Sequence, residues 1–231
     1  MTWRFTPSTD RRGLVPSGMA VVGALACLLC APVAGQEGDP HRHHRLPSGP
    51  PPDAQYTRTA LNVTVPDVPV VDAAGRSLRL HRLLDRPEPL LLQFVFTTCP
   101  GVCPALSAML SSTQRQLGEE RSRVPMVSIT IDPEHDTPER LATYAQRFGA
   151  EAPWLFLTGE LDDVVAVQKA FGAYRGNKMR HEPLTFLRPA PGPRWLRYEG
   201  FVDGSILAAD ALSSEDPAVD EEPAPAATLR R

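Results

Sequence analysis

Lysine is nearly missing from this chain: Lys169 and Lys178 are the only two among its 24 cationic residues, and arginine supplies the rest. No long basic face accompanies those arginines, and the net charge is −3. A nucleic-acid partner, which needs clustered cations, is therefore not expected. Cysteine is scarce too, at four in 231 residues. Cys27 and Cys30 fall inside an apolar run, where they serve as small apolar side chains. Only Cys99 and Cys103 are left for a folded domain. There is no internal repeat.

The N-terminus is built for export. Arg4, Arg11 and Arg12 precede the apolar run Met19 to Ala34, after which the chain turns polar. Residues 1–35 are expected to be a secretory signal peptide or an uncleaved membrane anchor. Residues 36–59, rich in Pro, Gly and His, read as a semi-extended tether. Residues 60–210 form a domain large enough to bury a core, and residues 211–231 read as a disordered acidic and Ala/Pro-rich tail. The expected location is the bacterial periplasm, with the domain tethered to the inner membrane.

Within the domain, Val68 to Leu80 alternates around Asp72-Ala-Ala-Gly75, a hairpin signal. Leu90 to Phe96 is almost continuously apolar, as a central strand covered on both faces should be. A helix opens near Pro104 and stops at Gly118. Val124 to Ile131 reads as a second buried strand, and Thr137-Pro138-Glu139 opens a helix that runs to Phe148. A strand at Trp154 to Leu157 and a helix from Leu161 to Phe171 follow. The pair Leu184 to Leu187 and Trp195 to Tyr198 and a short helix close the domain. Strands alternating with helices, then two closing strands, indicate an α/β layer fold: a central mixed sheet flanked by helices, with an N-terminal β-hairpin. Trp154, Phe156, Phe171 and Tyr174 are expected in the core.

Cys99-Pro-Gly-Val-Cys103-Pro lies where the central strand gives way to a helix. Cys103 then sits near a helix N-terminus, where unpaired amides and the macrodipole favour a thiolate with a lowered pKa. Two cysteines in one short motif of an exported protein form a disulfide, a redox pair or a metal clip. A purely structural disulfide closing so short a loop removes little chain entropy. Two thiolates select Cu(I) or Zn over hard cations. Peroxidase chemistry lacks the accompanying Arg/Thr constellation.

The run from Phe94 to Pro104 (FVFTTCPGVCP), the stretch from Asp132 to Glu139 (DPEHDTPE) and Phe156 to Gly159 (FLTG) together resemble the Sco/SenC family, over about Ala60 to Asp210. The resemblance implies a thioredoxin-like fold, a bound copper ion and a part in assembling the CuA site of cytochrome c oxidase. It maps two thiol ligands onto Cys99 and Cys103, and the third ligand, a histidine ahead of the penultimate strand, onto His181. Arg180 stands where the family usually carries an acidic or amide residue, and a cation there would disfavour bound copper.

Two functions stay open. One is a metallochaperone that delivers copper to the copper-site subunit of the oxidase or to another copper protein. The other is a thiol–disulfide oxidoreductase in which Cys99 and Cys103 are the redox-active pair. A copper or redox sensor is a third possibility. The resemblance suggests a supporting carboxylate or a weak ligand in the loop of Asp132 and Asp136. The alternative is a purely structural role, with Asp136 and Thr137 capping the following helix; it is favoured for Asp136 and stands even for Asp132. His135 is expected at the surface, and His41, His43 and His44 as a solvated linker.

Overall fold

Leu90–Val95 (β4) is buried at every position, and the alternation of its side chains explains why. Leu90, Leu92 and Phe94 join one apolar cluster, whereas Leu91 joins another. A strand buried on both sides needs cover from both, so the sheet must be sandwiched. The computed structural model describes residues 56–213. It places β4 beside β5 (Met126–Thr130), which is parallel, and β7 (Leu184–Arg188), which is antiparallel.

The other strands are β1 (Thr57–Asn62), β2 (Pro69–Asp72), β3 (Ser77–Arg79), β6 (Trp154–Thr158) and β8 (Arg194–Glu199). The mixed sheet has eight strands, in the order β1-β8-β7-β4-β5-β6-β2-β3. Helices α2 (Val102–Leu117), α3 (Pro138–Arg147) and α5 (Gly204–Leu212) contribute to the cluster containing Leu91, through Leu106, Leu141 and Leu207. Helices α1 (Leu80–Leu84) and α4 (Leu161–Ala170) contribute Leu80 and Val167 to the opposite one. Helix α5 lies so close to α2 that a Cβ on Gly204 would stand 2.7 Å from the Thr113 nitrogen.

The expected α/β architecture is therefore present, with two departures. Strand β1 pairs antiparallel with β8 and begins at Thr57, inside the stretch read as tether. Its half-exposed edge position gives it little apolar alternation. The predicted hairpin is β2–β3, and it lies at the opposite edge of the sheet. Tyr174 is the second departure: it is 39 % exposed, whereas Trp154, Phe156 and Phe171 are buried. The signal or anchor, most of the tether, His41, His43, His44, Cys27, Cys30 and nearly all of the tail lie outside the described residues.

Candidate metal centre

The turn from β4 into α2 delivers both cysteines to the C-terminal end of the central parallel strands, where open α/β sheets carry their sites. The Cys99 amide donates to the Phe96 carbonyl at 3.2 Å. The Cys103 amide in turn contacts the Cys99 sulfur at 3.4 Å. Both thiols are free; Cys99 is half-buried and Cys103 fully buried. Gly101 precedes the helix and provides no side-chain cap, so the first-turn amides of α2 face the cysteine loop.

The lowered thiol pKa expected for Cys103 is not what this geometry gives. Its pKa is raised well above the ordinary thiol range, chiefly by burial; the neighbouring Cys99 and Asp136 push the same way. A backbone hydrogen bond from Phe96 opposes the shift without overcoming it. Desolvation thus outweighs the helix end at this position.

The loop is bracketed from beneath by Asp136. This carboxylate is fully buried and accepts from the Thr97 amide at 3.0 Å, the Thr97 hydroxyl at 2.5 Å and the Thr130 hydroxyl at 2.6 Å. It does not cap α3. The cap is Thr137, whose hydroxyl accepts from the Arg140 amide. Asp132 is engaged as well: Lys178 donates to it at 2.5 Å. His135 is half-buried and its carbonyl accepts from Arg140, while its ring joins no cluster with the cysteines.

His181 follows a short 3-10 turn, Lys178–Arg180, and precedes β7. Its ring packs edge-on against Phe96, with centroids 6.5 Å apart. Its Nε2 is buried and has no hydrogen-bond partner. Burial holds the imidazole below its ordinary pKa; the Phe94 carbonyl and Glu182 favour the protonated form, and Arg175 opposes it. The cation felt by the ring is thus Arg175, itself paired with Glu182, rather than the exposed Arg180.

Phe96 links the parts. It touches His181 on one side, its carbonyl holds Cys99, and the Lys178 ammonium lies 5.8 Å from its ring centroid. The backbone of Phe96 thus meets the cysteine loop, and its ring meets His181. Among the described residues, no three His, Cys, Asp or Glu side chains are gathered into a ready metal cage. The soft donor set still fits a soft ion: two thiols in one loop and a neutral-favouring imidazole with an unsatisfied buried nitrogen.

Sequence reasoning did not single out Phe96 or Lys178. Lysine rarity was the available signal for the second, because one of two lysines stands three residues before His181.

The family profile described as SCO1/SenC matches residues 63–187. The chain belongs to the SCO1/SenC family. A solved SCO1/SenC family lipoprotein from Bacillus anthracis is 25% identical, with a TM-score of 0.57, over 66% of this chain and 95% of that one. BsSco, solved in work on a disulfide switch and described as a member of the Sco family of cytochrome c oxidase assembly proteins, is 26% identical. Its TM-score is 0.56, over 66% of this chain and 94% of that one. These SCO1/SenC structures share the thioredoxin-like architecture. A protein of Stutzerimonas stutzeri whose name describes copper binding is 33% identical over 112 residues, 47% of this chain and 52% of that protein. The chain spans about half the length of the curated relatives it matches.

Proposed function

We propose that this protein binds copper through Cys99, Cys103 and His181 and passes it to the copper-site subunit of cytochrome c oxidase or to another exported copper protein. The observation that carries this reading is the shared Phe96 platform. Its backbone carbonyl holds the loop that carries two free thiols, and its ring packs against a buried imidazole with an unpartnered Nε2. Copper is cargo here. Two thiolates and an imidazole suit Cu(I), and a three-ligand site can release its ion by ligand exchange more readily than a closed four-ligand cage. Family membership and the copper-binding name of the Stutzerimonas relative support the choice of metal.

The same reading puts the domain outside the cytoplasm, at the membrane. Support comes from the arginine-flanked apolar run at residues 19–34 and from the lipoprotein nature of the Bacillus anthracis relative.

The test is copper titration of the purified protein and its His181→Ala variant. The variant should lose tight stoichiometric binding while both thiols stay reactive. Full retention of affinity would remove His181 from the site.

One observation keeps a second reading: both cysteines are free, and BsSco carries a disulfide switch. In that reaction Cys99 and Cys103 give up two electrons and two protons, forming their own disulfide as a disulfide of the partner becomes two thiols. His181→Ala would then leave activity intact, and Cys99→Ser would abolish it.

A further inference from the structure

The turn Lys178–Arg180 buries none of its side chains. Its backbone hydrogen bonds are internal: the Asn177 side chain accepts from the Met179 amide at 2.9 Å, and the Arg180 and His181 amides donate to the Asn177 and Lys178 carbonyls. Met179 is 63 % exposed. A turn with neither apolar burial nor a strand ladder depends on a few side-chain contacts for its place on the domain. The residues at its two ends reach back to the fold. The His181 ring meets Phe96, and the Lys178 ammonium meets both Phe96 and the Asp132 carboxylate.

Asp132 is a fixed post for that contact. Its side chain is only 10 % exposed, and it lies two residues beyond β5. Its amide donates to the Thr130 hydroxyl at 3.0 Å, and its carbonyl accepts from the His135 and Asp136 amides. Thr130 donates in turn to Asp136, which holds Thr97 two residues before Cys99. A continuous series of hydrogen bonds thus runs from the cysteine loop through Thr97, Asp136, Thr130 and Asp132 to Lys178, in the turn that leads to His181.

We propose that Lys178 is the positioning residue of the His181 ligand: its ion pair with Asp132 keeps the imidazole on the Phe96 ring and thereby slows the release of bound copper. This rests on the copper reading above. The charge of Lys178 alone would act the other way, because a free ammonium disfavours a bound cation nearby; Asp132 at 2.5 Å offsets it. The lysine side chain is 42 % exposed, so the pair adds little to global stability. An ion pair of this class shifts a local equilibrium by a few-fold, enough to change a residence time without deciding whether the domain folds.

The experiment compares the purified protein with its Lys178→Met, Lys178→Arg, Asp132→Asn and His181→Ala variants. In the metal-free protein the Phe96 ring displaces the His181 ring-proton NMR signals. These should move toward free-imidazole positions in Lys178→Met and Asp132→Asn, and stay in place in Lys178→Arg, which keeps the ion pair. Loaded with one equivalent of Cu(I), Lys178→Met and Asp132→Asn should each release copper to excess bicinchoninate about threefold faster or more than the parent. The double variant should be no faster than either, and Lys178→Arg should match the parent. Ring signals unmoved in Lys178→Met, release from it equal to or slower than the parent, or Lys178→Arg behaving as the methionine variant does would each overturn the proposal. Fast release from Asp132→Asn beside an unchanged Lys178→Met would do so too, making Asp132 a ligand. If His181→Ala itself releases copper no faster than the parent, the copper reading fails, and the ring signals of the metal-free protein decide the positioning separately.

Discussion

Asp136→Ala should be among the most damaging single changes at the site, although this residue is not one of the proposed ligands. The carboxylate is fully buried and takes three hydrogen bonds, from the Thr97 amide and from the hydroxyls of Thr97 and Thr130. Hydrogen bonds to a charged group are worth about 1.5–3 kcal/mol each, and leaving a buried donor unpaired adds its desolvation cost. The two hydroxyls can turn toward other acceptors; the Thr97 amide cannot. A loss of about 3–5 kcal/mol follows, a large share of the roughly 5–15 kcal/mol that holds a domain together. At a urea m-value of about 2 kcal/mol/M, the midpoint should fall by roughly 2 M. Trp154 and Trp195, both buried, report the transition by fluorescence. Thr137→Ala, which removes only the α3 cap, should cost about 1 kcal/mol. Equal effects of the two substitutions would refute the assignment of Asp136 as the bracket beneath the cysteine loop and restore the capping role.

Other expectations follow from the same geometry. Cys99 is half-buried, whereas Cys103 is fully buried with its thiol pKa raised by desolvation, so iodoacetamide at pH 8 should modify Cys99 faster by about tenfold or more, as read by mass spectrometry. Burial lowers the His181 pKa, so on acidification the unfolded chain takes up that proton first. The stabilisation is complete above about pH 6.5 and is lost as pH falls toward the folded value; His181→Phe should flatten this acid slope in urea midpoints of the metal-free protein. Lys178→Ala removes a partly exposed ion pair, so global stability should move by less than about 1 kcal/mol. Amide exchange at residues 178–181 should nonetheless quicken, because the turn loses its tie to Asp132 and Phe96.

The sheet and its main helices were readable because their signals are local. A two-faced apolar run gave β4, and Thr-Pro-Glu and glycine stops bounded the helices. Strand β1 escaped because it is an edge strand that buries little and depends on β8, far along the chain, for its pairing. The cysteine loop was legible from spacing and context, but the state of Cys103 was not: a helix N-terminus can be read from sequence, whereas the burial that overrides it depends on the surrounding tertiary packing. Asp136 shows the same limit. Its place beside a helix start suggested a cap, and only the fold brings Thr97 within reach of it. Tyr174 looked like core by residue type, yet it lies on the exposed approach to His181, with Lys169 over its ring at 5.3 Å.

The sharpest test is X-ray absorption at the copper edge on the purified protein loaded with one equivalent of Cu(I). Two sulfur ligands and one imidazole nitrogen should be counted, the nitrogen vanishing in His181→Ala and sulfur in the Cys99→Ser, Cys103→Ser double variant. A spectrum with no sulfur, or one unchanged by removing both cysteines, would contradict the site.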